Sequence, residues 1–228
     1  MRSRTNNNFP LHEQRWIFWA MIFVGGFFGA YTFSVRGGVF CNAQTANVVL
    51  FTMSLGTGNW QKALYLLLPM SAYLSGAALS EFLTHRLSKN RYIQWSAALI
   101  GFEILTVLFL GLLPKSAPDQ ICQVALNFIC SMQFHAFHDN EGTPMATIFV
   151  TNHIKETGSN FVKAIVDKDA HARATWKAHA AMIGLFMLGC LTSTVLCTYF
   201  DVRAIFGTLP VLLYVLIRLI VKTSSHTS

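Results

Sequence analysis

The sequence predicts an all-α integral membrane protein with six transmembrane helices, two short re-entrant helices and an inverted internal repeat. The first observation is composition: of 228 residues, 53% are apolar and 12% are charged, with a mean hydropathy of +0.44. An average soluble domain carries about twice that charge. The second is that the apolar residues form runs long enough to cross a bilayer. The third is a weak similarity between the two halves of the chain.

This composition excludes a disordered chain, a coiled coil, an ordinary cytosolic enzyme domain and a large multidomain transporter. The net charge of +7 would suggest nucleic acid for a soluble chain, but here the basic residues lie between apolar runs, and we expect no nucleic-acid partner. The five cysteines fall in or beside apolar stretches and are expected to be packing residues without disulfides. The first apolar run is too long for a signal-peptide core, so we expect it to be retained.

Six segments are long and apolar enough to cross the membrane, and they comprise residues 16–35, 64–84, 92–113, 120–137, 178–199 and 204–221. The fourth is the most polar, with Gln123, Asn127 and Gln133 inside it. Two further segments, 39–57 and 144–157, are mixed in polarity, and we interpret them as short re-entrant helices.

The distribution of Lys and Arg favours six crossings with both termini in the cytoplasm. In that arrangement, four of the 17 Lys and Arg residues lie on the outer side of the membrane, namely Arg36, Lys62, Lys115 and Arg203. All the others lie on the cytoplasmic side. If residues 39–57 crossed the membrane instead, the basic loop from His85 to Arg91 would move outside. The bias of positive charge toward the inside therefore argues against a crossing there.

An internal repeat divides the single membrane domain, residues 1–228, into halves of about 16–113 and 120–221. A shift of 106 residues aligns Phe28, Tyr31 and Thr45 with Phe134, Phe137 and Thr151, and a later stretch brings Gly76 near Gly189. Each half then holds three crossings and one short helix. Because three is odd, the second half is inverted relative to the first. Inverted repeats with interrupted helices are a common transporter plan, although a duplicated scaffold without transport fits the same pattern.

The most specific stretch reads GGFFGAYT over residues 25–32 and VRGGVFCNAQTANVV over 35–49. It resembles the YoaK-like family of bacterial integral membrane proteins, whose pattern is roughly GG-x-x-D-A-x-T followed by RGG-x-F-A-N-A-Q-T-G-N. A second family element, T-x-x-x-T-G-N, corresponds to residues 147–153. Gly29 and Ala46 depart from the pattern, since the family usually has Asp and Gly there. The resemblance implies a multispan fold in a bacterial membrane and no established substrate.

Polar side chains in these two stretches are the candidate solute-binding residues. They are Arg36, Asn42, Gln44, Thr45, Asn47, Thr147, Thr151 and Asn152. Amides and hydroxyls in an apolar segment need partners or a wet cavity, so either solute binding or hydrogen bonding between helices explains them. Arg36 can attract an anion or reach lipid headgroups. The repeat also predicts that Gln44, Thr45 and Asn47 lie close to Thr147 and Thr151.

Glu103 is expected to couple protons, because it lies in the middle of an apolar segment where a charged carboxylate is costly. We expect it to be protonated and to face protein or a cavity. The alternative is a structural hydrogen bond, and Arg36 is the partner cation the sequence suggests.

A group of His and acidic residues follows the fourth apolar segment, and it includes His135, His138, Asp139 and Glu141. Their spacing lacks the helical pairs of a zinc site, so we expect no metal. The chain also has no Walker loop, no dinucleotide-binding glycine pattern and no GxSxG elbow, and we expect no cofactor and no catalytic residue. A proton-responsive mouth and a solvated turn remain open.

The leading function is secondary transport or channelling of a small polar or anionic solute. A non-transporting membrane scaffold or partner subunit is the alternative, and a membrane enzyme comes third. The expected partners are membrane lipids and an unidentified small solute, and a homo-oligomer is compatible with the sequence. The expected location is the bacterial inner membrane, with both termini cytoplasmic.

Overall fold

The computed structural model describes residues 14–86, 92–137, 139–140 and 143–224, and these form the all-α fold that the sequence predicts. The first half contains α1 (Arg15–Val35), α2 (Gln44–Gly56), α3 (Trp60–Arg86) and α4 (Tyr92–Leu112). The second half contains α5 (Asp119–Ala136), α6 (Thr151–Val166), α7 (Ala170–Phe200) and α8 (Leu209–Ser224), with a 3-10 helix, Asp201–Thr208, before α8. Two short antiparallel strands, β1 (Asp139–Asn140) and β2 (Thr143–Pro144), lie between α5 and α6.

Four segments of the described chain are long and apolar enough to cross a membrane. They are Arg15–Val35, Trp60–Arg86, Trp95–Leu112 and Ala170–Val221, the last of which runs from α7 into α8. Five of the six expected spans coincide with one helix each, and the sixth, 204–221, covers parts of the 3-10 helix and α8. Helix α5 is not among the four candidate segments. The amides of Gln123, Asn127 and Gln133 lower the hydropathy of α5.

The outward faces of the long helices are strongly apolar. Leu64 and Leu74 of α3 are 67% and 71% exposed, and Leu191 of α7 is 62% exposed. Exposed apolar area on this scale is typical of a surface that contacts lipid or another protein. The fold is therefore compatible with a membrane protein.

The helix boundaries follow from local chemistry. Asp169 caps α7, since its carboxylate accepts hydrogen bonds from the backbone N–H groups of His171 and Ala172 at 2.7 and 3.2 Å. Gly37 and Gly38 follow α1 with φ of +78° and +70°, a backbone region that favours glycine. They reverse the chain so that it returns along α1 before α2 begins.

The second short helix lies further along the chain than the sequence predicts. The expected segment was 144–157, whereas α6 spans Thr151–Val166. Residues 145–148 are buried and non-helical, because they pack as an irregular segment against the middle of α1, where Gly25 contacts Thr147 and Ile148. Residues 158–166 continue the helix, so α6 extends beyond the predicted segment toward the C-terminus.

Two helix pairs have the most extensive contacts in the described part of the chain, α1 with α7 and α3 with α5. Small residues let each pair approach closely. A Cβ on Gly26 or Gly189 would overlap the backbone carbonyl of the facing helix, at Phe186 and Phe23 respectively. A Cβ on Gly76 of α3 would likewise overlap the carbonyl oxygen of Phe128 in α5. Such close crossings are common between helices in membranes.

Hydrogen bonds fix the relative directions of α1 and α5. Gln123, near the start of α5, donates to the carbonyl of Arg36 just after α1, at 2.7 Å. Gln133, near the end of α5, donates to the carbonyl of Met21 near the start of α1, at 3.2 Å. Helix α5 therefore runs antiparallel to α1.

Candidate functional site

Asn42 joins the two halves of the chain beside the middle of α1. Its Nδ2 donates to the carbonyl of Gly25 at 2.9 Å and to the carbonyl of Ile148 at 2.8 Å. Two carbonyl partners identify the amide nitrogen, so the Oδ1 atom points the other way. A Cβ on Gly29 would lie 2.8 Å from that oxygen. The same Cβ would lie 2.7 Å from Nδ2, so glycine at position 29 makes room for the whole amide group of Asn42, which is only 5% exposed.

A cavity of about 420 Å³ lies between α1, α7 and the starts of α2 and α6. Small-molecule sites commonly measure ~300–1,000 Å³. The lining comprises Gly29, Ala30, Phe33, Ser34, Phe40, Asn42, Ala43, Phe149, Val150, Thr151, Phe186, Cys190 and Thr194. None of these residues is charged, and most of the wall is aromatic or aliphatic. The polar lining residues are Asn42 and Thr151, where the two short helices begin, and Ser34, Cys190 and Thr194 on α1 and α7.

Both short helices present their N-termini to this cavity. Ala43 immediately precedes α2 and Val150 immediately precedes α6, and both line the cavity. Neither N-terminus is capped by a side-chain hydrogen bond. The first turn of a helix leaves backbone N–H groups without intrahelical partners and carries a partial positive charge. The arrangement can hold an anion or a strong hydrogen-bond acceptor.

Several candidate residues of the first stretch serve the protein itself. Gln44 donates to Asn127 Oδ1 at 2.7 Å, and Asn47 donates to the carbonyl of Phe40 at 2.7 Å. Both amides hold the start of α2 in place. Thr45 is exposed, and Asn42 is the residue that makes the contact with the second stretch.

The second stretch contributes Thr151 to the cavity wall. Thr147 is fully buried, and its hydroxyl has no hydrogen-bond partner among the described residues. Asn152 is half-buried. Of the eight candidate binding residues, Asn42 and Thr151 line the cavity. No feature of the sequence indicated the α7 wall, Phe186, Cys190 and Thr194.

Arg36 lies in a separate buried cluster and does not reach the surface. Its Nε donates to the Tyr31 hydroxyl at 3.4 Å, and its Nη1 lies 3.7 Å from Asp119 Oδ1. Burial opposes its charge, but the bond to Tyr31 and the nearby Asp119 carboxylate outweigh burial and raise the pKa of Arg36. Its carboxylate neighbour is thus Asp119 and not Glu103.

Glu103 is fully buried in α4, as expected for an acidic residue at that depth. Neither of its carboxyl oxygens has a hydrogen-bond partner among the described residues. Glu103 is not part of the cavity lining. Among the described residues it is the buried acidic side chain, and neither hydrogen bonds nor an opposite charge offset its burial.

A buried histidine pair connects α6 to α7. His153 and His179 face each other with their Nδ1 atoms 2.7 Å apart, and His153 Nε2 lies 2.8 Å from the carbonyl of Ala146. One proton fits between the two Nδ1 atoms, whereas two would place N–H groups face to face. Sequence reasoning missed this pair, because the two histidines are 26 positions apart in the chain.

The expectation of no metal site concerned residues that are only partly described. His138 and Glu141 lie outside the described residues, and of Asp139 only the backbone is described. Within the described part of the chain, no three His, Cys, Asp or Glu residues come together as metal ligands.

Comparison with known proteins identifies a family and nothing closer. No curated protein and no solved structure matches the chain. Residues 17–219 match the family described as protein of unknown function (DUF1275), which covers most of the 228 residues. The chain belongs to the DUF1275 family.

Proposed function

We propose that this protein is a multi-pass membrane transporter or channel for a small polar or anionic solute. The observation that carries the proposal is the convergence of two uncapped helix N-termini, at Ala43 and Val150, on one uncharged cavity. Interrupted helices whose N-termini meet near the bilayer midplane hold anionic groups in several transporter folds. In this site the helix ends supply the positive potential, because the lining has no Lys or Arg.

Depth along α1 supports re-entrant short helices. Asn42, two residues before α2, contacts Gly25 in the middle of α1. Tyr65, near the start of α3, hydrogen-bonds to Gln123 of α5. Gln123 in turn contacts the carbonyl of Arg36, so the start of α3 lies at the level of the C-terminal end of α1. Helix α2 thus runs from mid-depth back to the side on which α1 ends. By the same reasoning α6 begins beside Gly25 and leaves on the opposite side.

The helix pairing supports an inverted repeat. If α1 to α4 are equivalent to α5 to α8, then α7 is the equivalent of α3, and the α1–α7 pair corresponds to the α5–α3 pair. These are the two helix pairs with the most extensive contacts in the described part of the chain. Their crossing points also correspond, since Gly189 faces the Phe23 carbonyl and Gly76 faces the Phe128 carbonyl. The antiparallel direction of α1 and α5 is what inversion requires.

The basic loops favour six crossings with both termini cytoplasmic, and the family resemblance favours the inner membrane of a bacterium. The scaffold alternative has its own support, since Gln44 and Asn47 bond to protein groups. A scaffold does not need an uncharged cavity between two free helix ends. Transport is therefore the better explanation.

The test uses purified protein in liposomes, with influx measured for formate, acetate, nitrate and glycerol. We expect saturable, protein-dependent flux of at least one anion. Thr194→Trp should fill the cavity and reduce that flux by about tenfold or more. Thr198→Trp is the matched control, because both threonines are exposed on α7 and donate to the carbonyl four residues earlier. If folded protein supports no flux of any of these solutes, the scaffold alternative replaces transport.

A further inference from the structure

The cavity opens sideways on the bundle, between exposed parts of α1 and α7. Its exposed lining residues are Phe33, Ser34, Thr151 and Thr194. Beside this opening, α7 exposes Leu191 and Val195, which are 62% and 46% accessible. Both helices belong to segments long enough to cross a membrane. In a bilayer, the opening would face acyl chains.

The cavity lining combines an aromatic wall with hydrogen-bonding groups. Phe33, Phe40, Phe149 and Phe186 form an aromatic wall that suits an alkyl chain. Beside it, the first turns of α2 and α6 offer N–H donors, and Asn42 offers an oxygen. Asn42 Oδ1 accepts no hydrogen bond from the described residues, although the side chain is about 95% buried. A ligand group that both accepts and donates would satisfy these groups.

We infer that the cavity binds a carboxylic acid with an alkyl tail, which reaches it from the bilayer. The carboxyl group accepts hydrogen bonds from the helix N-termini, and in its protonated form it donates one to Asn42 Oδ1. The tail lies against the phenylalanine wall. The inference rests on the proposed function only in taking the same cavity as the binding site.

Cys190 makes the inference testable without a new label site. It lines the cavity and is partly exposed, whereas Cys41, Cys122, Cys130 and Cys197 are buried. In protein reconstituted into nanodiscs, N-ethylmaleimide should therefore react first at Cys190, as shown by mass spectrometry. Cys190→Ser identifies any labelling elsewhere.

The probes are octanoate, acetate and methyl octanoate. Octanoate should slow labelling of Cys190 by about tenfold or more at saturation, and the other two should leave the rate within about twofold. Acetate has the carboxyl group without the tail, and methyl octanoate has the tail without the donor. Octanoate should not protect Cys190 in Thr194→Trp and should still protect it in Thr198→Trp.

Equal protection by acetate would overturn the requirement for a tail and leave small-anion transport intact. Equal protection by methyl octanoate would overturn recognition of the carboxyl group. If octanoate fails to protect Cys190 in the wild-type protein, the inference is wrong, and the liposome flux assay still decides the proposed function separately.

Discussion

Asn42 should be the most sensitive amide in the protein, because it joins α1 to the segment before α6. Asn42→Leu removes the two hydrogen bonds to Gly25 and Ile148 while keeping a similar volume. Hydrogen bonds of this kind are worth about 0.6 kcal/mol each in membrane proteins and ~1 kcal/mol in soluble ones. We expect a loss of about 1–2 kcal/mol. Asn42→Asp should cost more, since it places an oxygen against two carbonyl oxygens.

The assay is reversible unfolding in mixed micelles, followed by circular dichroism. Asn160→Ala is the matched control: its Nδ2 also donates twice, at 2.9 and 3.0 Å, but both acceptors belong to Glu156 one turn earlier. That change should stay within about 0.5 kcal/mol. Equal small losses in Asn42→Leu and Asn160→Ala would refute the view that Asn42 joins the two halves.

Three further predictions concern the core. Gly189→Val should destabilise the fold by about 1–3 kcal/mol, because the added side chain forces α7 away from α1. Gly184→Val should change the free energy of unfolding little, since a Cβ at that position would have no atom within 4 Å. Similar losses in the two variants would contradict the close crossing. Glu103→Leu should be neutral or stabilising in thermal unfolding, because both carboxyl oxygens lack hydrogen-bond partners among the described residues. If Glu103 couples protons, Glu103→Gln should abolish the pH dependence of the flux. An unchanged pH dependence excludes that role. Acidification below about pH 6.5 should lower the melting temperature of the wild type more than that of the double variant His153→Gln and His179→Gln. The reason is that a second proton sets two N–H groups of the pair face to face. Equal changes of melting temperature with pH in the two proteins would exclude the pair as the cause.

The apolar runs predicted the long helices well, because hydropathy reports the membrane requirement directly. Residues 16–35 and α1, for example, differ by one residue at the start. Helix α7 begins eight residues before the expected 178, since its first two turns are polar and carry no hydropathy signal. Polar turns of this kind need tertiary contacts, such as that of Trp176 with Phe161 of α6, to be recognised.

The site was only partly predictable. Asn42 and Thr151 stood out because polar residues in apolar segments need a reason. The cavity wall on α7 did not, since Cys190 and Thr194 look like ordinary residues of an apolar helix. Arg36 was expected near solute or headgroups, and its burial beside Tyr31 depends on α1 and the loop after it packing against α5. Such long-range pairings are not encoded in local spacing.

The depth of the two helix N-termini tests the central claim most directly. Spin labels on Ala43→Cys and Val150→Cys, in protein whose native cysteines are replaced, can be compared in nanodiscs by relaxation with oxygen and with a water-soluble nickel chelate. Labels on Asn59→Cys and Lys168→Cys, in the exposed turns after α2 and α6, provide the two surface references. The account predicts that Ala43 and Val150 lie at the same depth near the bilayer centre, with the reference labels at the headgroups. Either N-terminus at headgroup depth would contradict it.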